Sequence, residues 1–376
     1  MPAALLSSPA LLSAPSALPS FSRLSSPRAP RLPAELRDYL ALFGLTVDSL
    51  LTYGEANTKI AKGSGIAFSA LLHLLPDRSL ARALTPDSHL SPIRSELPGL
   101  RALAAELGLL EKALSVTLCP FSSDACRELC LAFSGRGGIS LPVASCRARR
   151  SLAFLYDRDL FLKCLLWAAG LCYRKARKAS LLFACRLNGT QELPWHSYRL
   201  LLSEEEASLF SALFGAPIDP GLASLPDRLS ALPDCAPYDY SKAPLSWLQG
   251  ARSSGVHVTA SLAADRQGGS RDAVNAVLAG FSLAVPILLP KGAPLPSELW
   301  LSDSRGRELR LFCLDGDLND LRMTDPLPPS GFHGVAPLLR LKRSRGSDPL
   351  AAPRFALAPS FERQALYGGG SALFVK

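Results

Sequence analysis

Apolar residues recur at intervals of three and four over Leu36–Leu51, Ala67–Leu75 and Leu97–Leu114, the spacing that gives a helix one buried face. A longer run of this kind, Arg147–Lys178, mixes Phe154, Leu155, Phe161, Leu165, Leu166 and Leu171 with basic side chains and predicts one long helix. The pattern then shortens. Leu181–Leu187, Tyr238–Tyr240, Val256–Ser261, Leu283–Leu289, Leu309–Leu314 and Val335–Leu341 predict strands, with helices at Glu204–Phe214 and Arg271–Ala279. Strand–helix alternation implies a parallel sheet, open or closed. The expected fold is therefore α/β, (β/α) barrel-like or a partial barrel, with a helical N-terminal region.

Residues 1–34 hold seven prolines, eight serines and three arginines and no acid. That composition predicts a disordered tail, with an organelle transit peptide as the alternative. The remainder, 35–376, reads as a single α/β domain. It divides into a helical entry region (35–118, with a polar loop at 54–65), a cysteine loop (119–138), strand–helix repeats (139–345) and a C-terminal extension (346–376).

Composition adds charge to this picture. The 376 residues are 48% hydrophobic and carry a net charge of +9, which favours polyanionic or phosphate-bearing partners. Between Arg147 and Lys178, nine basic residues face only Asp157 and Asp159, so this stretch alone carries +7. Such a helix is a candidate surface for nucleic acid or a phosphate-bearing substrate. The longest apolar stretches are interrupted by Lys163 or Pro286 and fall short of the roughly 20 residues that span a bilayer, so no membrane association is expected.

Nine cysteines at irregular spacing make a poor disulfide framework and point to a reducing, cytoplasmic setting. Three of them are clustered, at Cys119, Cys126 and Cys130. If the segment is helical, Cys126 and Cys130 share a face and Cys119 reaches in from the preceding loop. Three thiolates leave a fourth coordination position open, as a catalytic zinc or a substrate-binding iron requires. A fourth ligand from Cys146 would instead close the site. The alternative for Cys126 and Cys130 is a pair of small core residues.

Three further segments carry polar residues at strand ends. In Arg186–Trp195 a strand delivers Arg186 and Asn188, Gly189 allows close backbone approach to a ligand, and Arg186 could hold a carboxylate or phosphate in bidentate fashion. Asp315, Asp317 and Asp320 could bind a hard cation or hydroxyls, cap a helix starting near Leu318, or form a polar network with Arg322. His257 alternates with Val256 and Val258, which suits a hydrogen-bonded core histidine better than a catalytic base. No phosphate-binding loop, dinucleotide fingerprint or serine nucleophile elbow is present.

Taken in order, these segments resemble the gene-product-88-like family of phage and mobile-element proteins. The matching pieces are Asn57-Thr58-Lys59 with Lys62-Gly63, the Cys119-Pro120 to Cys130 motif, Arg149-Arg150, and Arg186 to Thr190 with Pro194-Trp195. They continue with Tyr238 to Lys242, His257 to Ser261, and Asp315-Gly316-Asp317 with Asp320-Leu321-Arg322. The resemblance spans about residues 50 to 345. That family in turn looks like a divergent relative of radical S-adenosylmethionine enzymes, although C-x6-C-x3-C replaces the usual C-x3-C-x2-C and Leu129 stands where an aromatic is usual. The likeness implies a [4Fe–4S] cluster on Cys119, Cys126 and Cys130 with S-adenosylmethionine as cofactor. Arg186, Asn188, Lys242, Asp315 and Asp317 would then line the reactive mouth, and Asn57, Lys59, Gly189, His257, Asp320 and Arg322 would bind cofactor. The competing reading is a nucleic-acid-binding accessory protein with structural zinc, or no metal, in the cysteine loop.

Overall fold

A computed structural model describes residues 28–53, 61–76, 79–85, 98–130, 132, 140–289, 293–303, 305–341, 356, 364–365 and 372–374. Most of the tail (1–27) and Asn57 and Lys59 lie outside these residues. The fold is α/β and is organised on one large, mostly parallel sheet.

The sheet begins earlier than the sequence pattern suggests. Ala67–Leu72 is a strand, β2, not a helix. A short apolar run looks alike in either state, and this one is buried over nearly its whole length, as a central parallel strand must be. Before it, the expected helix Leu36–Leu51 stops early: α1 covers Ala34–Leu42, and the chain turns into a short edge strand, β1 (Leu51–Tyr53), antiparallel to β2. Leu97–Leu114 likewise divides into α3 (Pro98–Glu106) and α4 (Leu110–Ser115) around Gly108, whose φ of +66° is left-handed. A short helix, α2 (Ser79–Leu84), follows β2.

The long basic helix is two helices, α6 (Leu141–Tyr156) and α7 (Arg158–Lys178). Asp157 breaks them. Its backbone is extended, and its carboxylate accepts the Leu160 amide at 2.9 Å, capping α7. The Tyr39 hydroxyl donates to the carbonyls of Ala153 (2.6 Å) and Asp157 (3.0 Å), pinning α1 across the break.

After α7 the predicted elements appear within three residues of their expected ends: β3 (Leu182–Arg186), α8 (Glu204–Phe214), β6 (Cys235–Ser241, starting three residues early), β7 (His257–Ser261), α11 (Gly269–Leu278), β8 (Leu283–Ile287), β10 (Glu308–Asp315) and β11 (Gly334–Arg340). The pattern did not reveal the hairpin β4 (Arg199–Leu202) with β5 (Gly221–Ser224), the helices α9 (Leu225–Ser230) and α10 (Leu245–Ser253), or β9 (Glu298–Ser302). Pro286 does not end β8. Residues 284 and 286 point their backbone toward β7, where pairing has already stopped at Ala284, so the missing N–H breaks no ladder bond.

The strand order is β1-β2-β3-β6-β7-β8-β11-β10-β9-β13-β12, with β12 at Gln364–Ala365 and β13 at Ala372–Phe374. From β2 to β11 each new parallel strand is added on the same side of the last. Right-handed crossovers in that order put the connecting helices on one face. On the helix side, Phe183 and Cys185 of β3 and Leu72 of β2 share a core with Trp167, Tyr173 and Phe214. Val258, Leu283, Val285 and Leu338 form a second core with α10 and α11. Each large buried side chain stabilises the fold by about 1.5–3 kcal/mol. Ala67, Ala184 and Tyr238 face the other way and are covered by Leu321 and Met323. Those two residues belong to the link between β10 and β11, a stretch without an α-helix that lies across the open face of the sheet. No helix starts at Leu318; a short 3-10 turn occupies Arg322–Thr324.

Candidate functional site

All the strands from β3 to β11 in the parallel run deliver residues to one cavity of about 200 Å³. Its lining includes Arg186 from the end of β3, Tyr240 from β6 and Lys242 just after it, Ser261 from β7, Pro286 from β8, and Leu339 and Arg340 from β11. These are carboxyl ends, where parallel α/β sheets open toward ligands. The lid over them is the cysteine loop, and Cys119, Cys126 and Cys130 all line the cavity.

The loop carries one short helix, α5 (Asp124–Glu128). Ser123 caps it by accepting the Cys126 amide at 3.1 Å, and Arg127 pairs with Asp124 and donates to the Ser122 carbonyl at 3.0 Å. Ala125 and Leu129 cluster with Leu288 and Leu341, and Leu129 and Leu341 also line the cavity. Cys130 lies beyond the helix end, so the shared face expected for Cys126 and Cys130 is made by a single turn and the residues after it. Among the described residues no three His, Cys, Asp or Glu side chains are gathered closely enough to hold a single ion. Cys146 does not line the cavity, and its thiol donates to the Ser49 carbonyl at 3.8 Å.

Burial raises the Cys119 thiol well above its ordinary range, with Glu192 and Cys126 adding to the effect. Burial and Cys126 push the Cys130 thiol up to about 12, against a hydrogen bond from the Ala132 backbone. Both are neutral at pH 7 unless a metal takes the proton's place. Lys242 stands among them. Burial opposes its charge, but the negative charge its neighbours can carry, on Cys126 and Glu192 foremost, raises the ammonium above its ordinary range.

Glu192 fixes that corner. Its carboxylate accepts the Ser241 hydroxyl at 2.5 Å and the Lys242 amide at 2.6 Å, while its own amide donates to the Leu118 carbonyl at 2.8 Å. One residue thus joins the end of β6 to the start of the cysteine loop. Its pattern in the sequence is weak, a single acid before Leu193-Pro194 in a segment with no periodicity.

The floor is a buried charge network. Arg186 donates to Asp320 at 3.1 Å and to the Asn188 carbonyl at 3.1 Å, lies 3.5 Å from Asp239, and stacks its guanidinium 4.6 Å from the Tyr240 ring centroid. Asp320 also accepts the Tyr238 and Tyr240 hydroxyls, each at 3.3 Å. The carboxylate expected of a ligand is therefore supplied by the protein, from the link that covers the sheet. Burial carries Asp239 up to about 7, with Arg186 opposing.

Asn188 and Gly189 also line the cavity, but their contacts are to the protein itself, and the remaining residues singled out by the sequence stand elsewhere. Asn188 staples the following loop: its side chain donates to the Leu193 carbonyl (3.1 Å) and accepts the Leu193 amide (2.9 Å) and the Trp195 indole (2.8 Å). Gly189 lines the cavity, but its close approach is to protein, since a Cβ there would lie 2.4 Å from the Leu72 carbonyl oxygen. Asp315 and Asp317 clamp Arg340: both oxygens of Asp315 accept from its guanidinium at 3.1 Å, and Asp317 accepts the Arg340 amide at 3.0 Å. Arg340, the last residue of β11, is the member of this group that reaches the cavity. Arg322 does not form a side-chain pair with Asp320; it is buried and pairs with Asp325 at 3.1 Å.

His257 is not at the site. It opens β7, while Ser261 at the other end of the strand lines the cavity. They are four positions apart along the strand, roughly 13 Å.

The basic stretch is also different from a phosphate-binding stripe. Arg147 donates to the Ala132 carbonyl (2.7 Å), Arg149 to Phe43 (2.8 Å), Arg150 to His73 (3.2 Å) and Arg174 to Leu213 (3.1 Å). Lys163 pairs with Glu206. Only Arg158, Lys175 and Lys178 of the nine are exposed.

The class defined by fold and site is an α/β protein with a cysteine-lidded cavity at the carboxyl ends of a parallel sheet. The Gene product 88 family model matches residues 79–346, and the chain belongs to that family. No curated protein and no solved structure matches it. No described helix is long and apolar enough to cross a membrane.

Proposed function

We propose that the chain is an iron–sulfur enzyme of radical S-adenosylmethionine type, built as a partial (β/α) barrel. Cys119, Cys126 and Cys130 would hold a [4Fe–4S] cluster over the cavity. The observation that carries this reading is the convergence of three thiols and Lys242 on one cavity at the carboxyl ends of sequentially ordered parallel strands. The donor set suits the group: soft thiolates select iron–sulfur clusters. Each of the three would bond a different iron, so the sulfurs need not meet at one point as zinc ligands do.

When bound, the cluster supplies an electron that cleaves the sulfonium of S-adenosylmethionine. The chain's own residues supply the setting. The Lys242 ammonium offsets the negative charge of the thiolates. Glu192 fixes the backbone that carries Lys242. Arg186 and Asp320 give the cavity a rigid charged floor, and Leu129, Pro286, Leu339 and Leu341 restrict water. Arg82, Arg127 and Arg340 also line the cavity, with Arg127 paired to Asp124 and Arg340 to Asp315. The nucleic-acid reading loses its main support, because most of the basic stretch binds internal carbonyls or acids.

Anaerobic loading with iron and sulfide tests the proposal. The expected product is brown, with a broad visible band that changes on addition of S-adenosylmethionine and is missing in Cys126→Ala. Stoichiometric zinc with no visible absorption would overturn it.

A further inference from the structure

The cysteine loop and Lys242 belong to different parts of the chain, and Glu192 is not their sole link. The turn between β7 and α11 touches both. The Ala125 amide, in the first turn of α5, donates to Asp265 Oδ2 at 2.9 Å. The other oxygen of Asp265 is buried and accepts no hydrogen bond. Next to it, Arg266 donates to the Lys242 carbonyl at 2.8 Å and pairs with Asp272 at 2.7 Å. Its guanidinium also lies 5.9 Å from the ring centroid of Phe121, inside the cysteine loop. Phe121 in turn packs edge-on against Trp247 of α10, with centroids 4.9 Å apart.

The turn itself is held tightly. Gly268 has a φ of +77°, and a Cβ on Gly269 would lie 2.2 Å from the Ala263 carbonyl oxygen. Two adjacent residues therefore reach from one rigid turn, one to the backbone beside Cys126 and the other to the backbone of Lys242.

We propose that Asp265 and Arg266 form a positioning brace that sets the cysteine helix at a fixed distance from Lys242. Asp265 acts through the Ala125 amide, beside Cys126; Arg266 acts through the Lys242 carbonyl. Neither touches substrate. A carboxylate that accepts one backbone amide and leaves its second oxygen dry stabilises the fold less than a fully satisfied one, and its worth here is the geometry it imposes on the loop. The consequence for a cluster rests on the iron–sulfur reading above, but the brace itself does not.

The test uses the metal-free full-length chain. Alkylation of Cys126 by iodoacetamide, resolved by peptide mass, reports how firmly the helix is seated. Asp265→Ala is expected to raise that rate about tenfold, the effect of losing one charge-assisted hydrogen bond. Asp265→Asn keeps an acceptor for the Ala125 amide and is expected to restore the wild-type rate. Arg266→Gln provides a second variant should Asp265→Ala fail to fold, and it too should speed alkylation. Rates equal to wild type in folded Asp265→Ala and Arg266→Gln would overturn the brace. A rate in Asp265→Asn as fast as in Asp265→Ala, at wild-type Tm, would overturn positioning by hydrogen bond. Iron and sulfide loading of the same proteins separates the two proposals. Absence of a visible band in wild type defeats the cluster and leaves the alkylation result standing. A band in wild type with altered electron paramagnetic resonance in Asp265→Ala, restored in Asp265→Asn, supports both.

Discussion

On the floor of the cavity, Arg186 meets Asp320 at 3.1 Å, Asp239 lies behind it, and two tyrosine hydroxyls complete the arrangement. Along the lid, Cys119, Cys126 and Cys130 face the same space from a loop with one turn of helix. The floor answers its charges with residues of the chain itself, whereas the lid presents soft donors aimed at the cavity. Polar groups saturated by protein partners serve mainly to hold the fold, while groups aimed at a cavity are available to a ligand. The two should therefore separate in stability and in binding.

The largest expected effect is on the floor. Asp320→Ala leaves Arg186 with Asp239 alone, at 3.5 Å, and leaves the Tyr238 and Tyr240 hydroxyls without their acceptor. Breaking one partner of a buried ion pair costs about 3–5 kcal/mol. Urea denaturation should show a loss of that size for Asp320→Ala and a clearly smaller one for Cys126→Ala, which removes only a half-buried sulfur. Equal losses would break the distinction between floor and lid.

A smaller effect sharpens it through pH. Burial lifts Asp239 to about 7 and Asp325 to about 6, against Arg186 and Arg322 respectively. In the unfolded chain both carboxyls titrate near pH 4, roughly the model-peptide value. Between pH 4 and 7 the folded chain keeps protons that the unfolded chain has released, so ν_N exceeds ν_U and stability falls as pH rises. The contribution from these groups is full below about pH 4 and is lost as pH passes through 6 to 7. Unfolding free energy measured from pH 5 to 8 should decline over that interval in wild type and decline less in Asp239→Asn. A curve that rises toward pH 7 to the same extent in both would count against it.

Much of this arrangement was legible in the sequence, and the exceptions have physical causes. Alternating strands from β3 onward could be read because each is bounded by polar turns and separated by amphipathic helices. Ala67–Leu72 could not, since a six-residue apolar segment carries no period that distinguishes strand from buried helix. The three cysteines, Arg186, Gly189, Lys242 and Asp320 were recognisable as polar or reactive residues at loop positions or strand ends, and the fold brings all of them to the cavity. His257 had the same local pattern but stands at the opposite end of its strand, and alternation reports a face, not a depth. Asp315 and Asp317 could not be assigned because their partner, Arg340, is 25 and 23 residues away in sequence. Glu192 and Asp265 act on backbone amides of distant segments, an interaction that leaves no side-chain pattern to read.

The smallest effect extends the comparison to the basic helices, where composition was a poor guide. Arg150 and Lys178 contribute equally to the net charge. Arg150 is buried in α6 and donates to the carbonyl of His73, just past the end of β2. Lys178 is exposed at the end of α7, where a cation is favoured weakly by the helix dipole. Arg150→Ala should lower stability by about 2 kcal/mol, combining a lost charged hydrogen bond with a packing gap. Lys178→Ala should leave Tm within the error of the measurement. The same pair examines the charge reading from the other side. A phosphate-binding stripe would make Lys178→Ala weaken DNA binding and flatten its salt dependence, with Arg150 acting only through folding. An internal role for the basic residues leaves both variants without a DNA phenotype and confines their difference to stability, so one pair of substitutions measures whether charge in this chain is directed outward or inward.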